Sequence, residues 1–153
     1  MIGIEIQGLS ALLNYLEKLD KKKLANFKKA GIIAVRDIQL HFRNSQSPDG
    51  KWAPLKYRSG KPLQKTGILQ QSISESIHGD DTIEVGTNLI YARIHNFGGI
   101  IKPVHKKYLS FQIGNNWIKT KQVKIPKREF MWLSEDADDK ISKVLTDSWE
   151  SLK

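Results

Sequence analysis

Apolar and polar residues change rhythm several times along this chain, and each rhythm predicts a different element. The opening "IGIEIQ" alternates and predicts a short, half-buried strand. In "GLSALLNYLEKL" the repeat turns helical, with Leu9, Leu12, Leu13, Leu16 and Leu19 on one face. Asp20 is a candidate N-cap for a second, longer helix running to about Phe42. Its expected apolar stripe is Leu24, Phe27, Ala34, Val35, Ile38 and Phe42, with Lys21, Lys22, Lys23, Lys28 and Lys29 in solvent. Gly31 weakens that helix by roughly 1 kcal/mol relative to alanine and marks a close helix crossing.

The pattern then breaks. "NSQSPDGKWAPLKYRSGKPLQKTG" is punctuated by proline, glycine and small polar residues, which predicts a long loop at about 45–67. Trp52, Leu55, Tyr57 and Leu63 within it need cover, from the domain itself or from a neighbouring subunit. "SISESI" sets Ile73 and Ile77 against serines and a glutamate, a turn at "HGDD" follows, and "TIEVGT" predicts another strand. "NLIYARIHNF" returns to helical spacing, with Ile90, Ile94 and Phe97 on one side.

Beyond it, "KYLSFQI", the "GNN" turn and "WIKTKQVKI" predict a hairpin, because glycine and asparagine accept the positive φ of tight turns. Pro126 ends its second strand. Ser134 caps a last helix whose first turn holds Glu135, Asp136, Asp138 and Asp139, where the helix dipole favours negative charge. Ile141, Val144, Leu145, Trp149 and Leu152 form its apolar stripe. The fold class is therefore α+β: N-terminal helices and a C-terminal helix packed on a small, mostly antiparallel sheet, with a long loop and a basic β-hairpin at about 107–128.

A length of 153 residues suits one domain, 1–153, with a real core. No apolar run approaches the ~20 residues of a membrane span, and the N-terminus lacks the pattern of a signal peptide. The absence of cysteine excludes disulfides, thiolate metal sites and a cysteine nucleophile, and fits a chain made and used in a cytoplasm or in a particle assembled there. Charge alters the picture most. The net charge is +9, and from Val85 to Arg128 there is no acidic residue at all. Arg93, Lys102, Lys106, Lys107, Lys119, Lys121, Lys124, Lys127 and Arg128 all fall in that stretch, whereas "SEDADDKISKVLTDSWE" is acidic. Such polarity suits a nucleic-acid surface, an acidic protein partner, or copies of one chain packing basic face to acidic face.

Candidate chemistry is thin. His41, His78, His95 and His105 form no zinc-ligating pair at helical spacing, and no serine stands in a nucleophile elbow. A zinc site, and with it a metal-dependent hydrolase, would need His95, His105 and a distant carboxylate. "FGG" lacks the spacing and the lysine of a phosphate loop. "IYARIHNFGG" reads better as a structural corner. Tyr91 and His95 lie one helical turn apart on one face, and Gly98 and Gly99 end the helix in a sharp reversal.

Four stretches, in order, resemble the phage virion morphogenesis family, the Mu-type tail completion or head–tail joining proteins. "SPDGKWAPL", with Trp52, is similar to the family's element after its long helix. "KPLQKTGILQQSI" resembles its L-x-K-T-G-x-L-x-x-S-I element through Leu63, Lys65, Thr66, Gly67, Leu69, Ser72 and Ile73. "VGTNLIYARIHNFGG" resembles its most characteristic segment through Gly86, Tyr91, Ala92, His95, Phe97, Gly98 and Gly99. "IPKREFMWLSEDADDKI" resembles the proline–basic–arginine–x–phenylalanine motif before the last helix, with Pro126, Arg128 and Phe130. Glu129 stands where that motif leads one to expect proline, which bears on the stiffness of the turn.

The resemblance implies a non-enzymatic structural protein of a tailed phage or prophage, with no cofactor, no metal and no catalytic residues. It implies a homo-oligomeric ring, on the order of six-fold or twelve-fold, at the neck or head-proximal tail end, completing the tail and joining it to the head. The implied partners are other neck, connector or tail-tube proteins, with DNA passing non-specifically through the lumen and no membrane. The implied location is the virion, after assembly in the host cytoplasm. A closing ring needs head-to-tail contacts, for which a basic middle and an acidic last helix are complementary. The long loop is expected to order as a neighbour covers Trp52 and Tyr57. The basic hairpin could reach toward the lumen or toward an acidic partner, with the partner slightly favoured, since a wall that grips phosphate would impede DNA. The alternative is a basic nucleic-acid-binding module, whose affinity would fall steeply with salt.

Overall fold

The computed structural model describes residues 2–6, 22–79 and 82–150. The leucine-rich helix expected at 8–19, the cap at Asp20, Lys21, the centre of the "HGDD" turn and Leu152 lie outside these residues, as do the side chains of Lys22, Lys23 and Trp149. What is described is α+β, with every strand pair antiparallel.

Helix α1 (Lys22–Asn44) is the spine. Phe27, Ala30, Ala34, Ile38 and Phe42 recur every three or four residues and are all buried, as a helix with one covered face requires. Two members of the expected stripe differ. Val35 is only partly buried, and Leu24 is 61 % exposed. Helical spacing sets where a side chain points, not whether a layer lies beneath it, and Leu24 has the direction without the layer. The small residues of the stripe let α1 sit close on a three-stranded sheet of order β1 (Ile2–Ile6), β5 (Thr82–Thr87), β4 (Ser74–His78). Gly31 marks a close crossing, but against the sheet rather than another helix. A Cβ there would stand 2.9 Å from the Glu75 Cβ and 3.3 Å from Ile83.

Within the sheet, Gly3 of β1 faces Gly86 of β5. A Cβ on Gly86 would lie 2.6 Å from the Ile2 carbonyl oxygen, so that glycine sets the spacing of the two strands. Helix α4 (Glu135–Glu150) packs along α1 and buries Ala137 and Ile141. Its cap is Ser134, as expected, whose Oγ accepts the Ala137 N–H at 3.3 Å. Asp37 of α1 holds the cap in place, accepting from the Ser134 N–H at 2.8 Å and from its Oγ at 2.7 Å.

The long loop is ordered by its own chain. It opens with a two-residue ribbon, β2 (Gln46–Ser47) on β3 (Gly50–Lys51). Lys51 and Lys61 then reach back to the last carbonyls of α1, Asn44 at 2.9 Å and Arg43 at 2.8 Å, which satisfies acceptors left over at a helix end. Trp52 is buried edge-on against Phe42, with ring centroids 5.5 Å apart. Of the two covers expected, the domain itself supplies that of Trp52, which corrects the expectation of a neighbour over it, while Tyr57 stays 72 % exposed. At the loop's end Gly67, with φ 73°, turns the chain into the single-turn helix α2 (Ile68–Gln71), which buries Leu69. Lys65 and Thr66 are exposed, and the Thr66 hydroxyl accepts the Ile68 N–H at 3.5 Å.

Candidate assembly surface

The "IYARIHNFGG" stretch folds into a two-turn helix, α3 (Ala92–Phe97), closed by Gly98. Its apolar side is not its buried side. Ile90 precedes the helix and is 97 % exposed, and Phe97 is 59 % exposed. The buried pair is Ala92 and Asn96, four residues apart. A polar residue takes the inner face because the segment behind it presents unpaired donors. The Asn96 Oδ1 accepts the backbone N–H of Phe130 at 2.9 Å and of Met131 at 3.0 Å. Asn96 was not singled out from sequence. A lone asparagine in a short helix looks like surface until its distant partners are known.

Gly98 has φ 71° and ψ 179°, a conformation open essentially to glycine alone. A Cβ there would meet the Lys127 backbone nitrogen at 2.7 Å. From this pivot a two-stranded arm leaves the body. Its base pairs β6 (Gly99–Ile101) with β9 (Val123–Ile125), and its tip pairs β7 (Leu109–Ile113) with β8 (Asn116–Thr120) across a turn at Gly114. "WIKTKQVKI" is thus not one strand. It is broken at 121–122, and its last part joins a strand formed by "GII" that alternation could not reveal in three residues. Gly99 begins this strand rather than merely ending the helix, and Pro126 follows β9 as expected.

Where the arm's returning strand re-enters the body, the last motif is fastened from three sides. The Arg128 N–H donates to the His95 carbonyl at 2.9 Å. Its guanidinium is buried and donates from Nε and Nη2 to the Ala53 carbonyl at 3.2 and 3.0 Å. Burial pulls this group below its ordinary pKa and Arg58 adds repulsion, yet a guanidinium stays charged at neutral pH. The Glu129 carbonyl accepts from Trp52 Nε1 at 3.1 Å and Ser47 Oγ at 3.3 Å, and its carboxylate pairs with Lys127 at 2.5 Å. The turn without the expected proline is thus held from the loop side. Phe130 is fully buried on Phe42, with centroids 4.9 Å apart. His41 Nδ1 donates to the Phe130 carbonyl at 3.0 Å, and its ring stacks 3.9 Å from Trp132. Trp52, Gly98, Arg128 and Phe130 therefore meet around one joint, whereas Lys65, Thr66 and Gly67 lie on the separate α2 turn and Gly86 lies in the sheet.

Tyr91 and His95 do share a face, their rings edge-on at 6.0 Å. Burial, then the Arg128 charge, lowers the His95 pKa, which leaves a neutral imidazole at pH 7. Among the described residues no three metal-ligating side chains come together, so His95 and His105 do not join a carboxylate in a zinc site. One triad-like set does exist: Ser76 and Glu84 each lie 3.1 Å from His78. Both approach the same nitrogen, Nε2, whereas a relay needs the carboxylate on the other ring nitrogen. The neighbouring groove of about 280 Å³ is lined by Ser72, Ser74, Ser76, Glu84 and Thr87.

What the joint presents is surface. Ile90 just before α3, Phe97 on it, and Ile100, Val104, Tyr108 and Trp117 on the arm all stand exposed, amid the acid-free stretch. Of its basic residues, Arg128 is buried and Lys127 is ion-paired, while Arg93, Lys102, Lys106, Lys107, Lys119, Lys121 and Lys124 face solvent. Exposed aromatic and aliphatic side chains among basic ones mark an interaction face. Among the described residues no helix is long and apolar enough to cross a membrane.

Residues 4–150 match the phage virion morphogenesis family. The chain is also similar to the Mu-like prophage FluMu G protein 2 of Haemophilus influenzae, 34 % identical over 102 residues that cover 65 % of this chain and 72 % of that protein. No solved structure matches it. The family match takes in α3, the arm and the segment that fastens it, and the chain belongs to the phage virion morphogenesis family, with a role in building the phage particle.

Proposed function

We propose that the chain is a non-enzymatic ring subunit at the neck or head-proximal end of a phage tail, where it completes the tail and joins it to the head. The observation that carries this reading is the arm: a two-stranded projection, rigidly rooted at Gly98 and Arg128, that displays apolar and basic side chains together. An enzyme shapes a cleft around reactive groups, whereas a joint of buried carbonyls and a displayed surface serves assembly. Homo-oligomeric copies, neck or tail-tube proteins and passing DNA are the partners of such a ring. Electron microscopy of the intact particle tests it, with the expected outcome a closed ring of this chain where tail meets head. Particles that lack the chain, or that carry it along the tail shaft, would refute the reading.

The second reading, a nucleic-acid module, rests on the exposed basic residues. Each phosphate contact lowers log K by about 0.9 per tenfold salt, so duplex binding with a slope of several units would favour it. Salt-insensitive binding would remove it.

A further inference from the structure

We infer that the arm of one subunit docks on the acidic first turn of α4 in a second copy of the same chain, an interface that rests on the ring reading above. Three observations support it. First, β7 and β8 set Trp117 and Lys119 on one face of the tip, opposite the half-buried Leu109, Phe111, Ile113 and Ile118, and Trp117 is 71 % exposed. A two-stranded hairpin is marginal in water and gains stability when such a face is covered. Phosphate cannot provide that cover, so a protein surface fits better than nucleic acid.

Second, the charges are complementary. Lys119 and Lys121 near the tip have no ion pair among the described residues, and neither do Glu135, Asp138 and Asp139 at the start of α4. The remaining acid of that turn, Asp136, is paired with Lys140 at 2.6 Å.

Third, the acidic turn belongs to the body, close in sequence to the arm's foot, whereas the basic pair lies out along the arm. The α4 cap at Ser134 follows directly on the segment that Asn96 and Arg128 bind to the arm's foot. The tip is ten residues of strand and connection away, a reach of up to about 30 Å. Tip and acidic turn therefore form a head-to-tail pair, the kind of contact that closes rings.

Because the chain has no cysteine, the contact can be tested by site-specific cross-linking in the full-length protein. Carrying both Trp117→Cys and Asp138→Cys, the chain is expected to give an oxidised ladder of multimers. Each single variant should remain at most dimeric. In parallel, Lys119→Glu with Lys121→Glu should weaken self-association about tenfold or more by sedimentation, and Asp138→Lys with Asp139→Lys in the same chain should restore it. These residues are exposed, so unchanged melting curves confirm that the variants are folded. Rings that form without the cross-link and ignore the charge reversal would overturn this interface and leave the ring reading standing. A link within one chain, or a loss of duplex binding with association intact, would also overturn it. Absence of any oligomer, in solution and in particles, would overturn both.

Discussion

The side-chain oxygen of Asn96 receives two backbone N–H groups, from Phe130 and Met131, across a sequence separation of more than thirty residues. One buried amide thus joins the α3 corner to the segment that carries the Arg128–Phe130 motif. Replacing Asn96 with alanine leaves both donors buried without a partner. An unmet buried donor costs about 1–3 kcal/mol, so Asn96→Ala should destabilise by about 2–4 kcal/mol in urea unfolding. A change under half a kilocalorie would show that the joint repairs itself.

Gly98 and Gly114 form a matched pair. Both have positive φ, 71° and 58°, but a Cβ on Gly114 meets nothing within 4 Å. Gly114→Ala should therefore lose about 1 kcal/mol, the ordinary strain of a left-handed residue. Gly98→Ala adds a backbone collision that no rotamer relieves and should cost about 3 kcal/mol or more. Proteolysis within 99–125 should accelerate in that variant alone.

Arg128 holds the loop by two bonds to one carbonyl, a geometry that lysine cannot reproduce. Arg128→Lys should lose about 1.5–3 kcal/mol, the scale of charged hydrogen bonds. Limited proteolysis should then cut in the loop after Ala53, ahead of any global unfolding. Intact loop protection would count against its fastening role.

Burial, the largest influence, lowers the His41 pKa from 6.5, against smaller opposing effects of the Phe130 carbonyl and Asp37. His95 shifts the same way through burial and Arg128. The unfolded chain then binds protons that the folded one refuses, so stability is full above pH 6.5 and falls as pH drops below it toward the folded values. Each refused proton contributes a slope of about 1.4 kcal/mol per pH unit in that window. Unfolding measured between pH 5 and 8 should show the decline, and His41→Gln should reduce its slope. An unchanged slope would mean that His41 titrates alike in both states.

Much of the architecture was legible along the chain. Alternation identified β4 and β5, helical spacing identified α1 and α4, and Ser134 announced its own cap, because these signals live within a few neighbouring residues. Gly98, Gly99 and the Arg128–Phe130 motif were singled out along the chain. Tertiary structure alone decided which partners they have. It turned α3 so that Ala92 and Asn96 face inward, seated Trp52 on Phe42, and split the returning strand so that "GII" found its mate. Local steric and periodic preferences act between residues close in sequence. The pairing of a buried amide with two distant N–H groups depends on where the whole chain has brought them, and no local pattern encodes it.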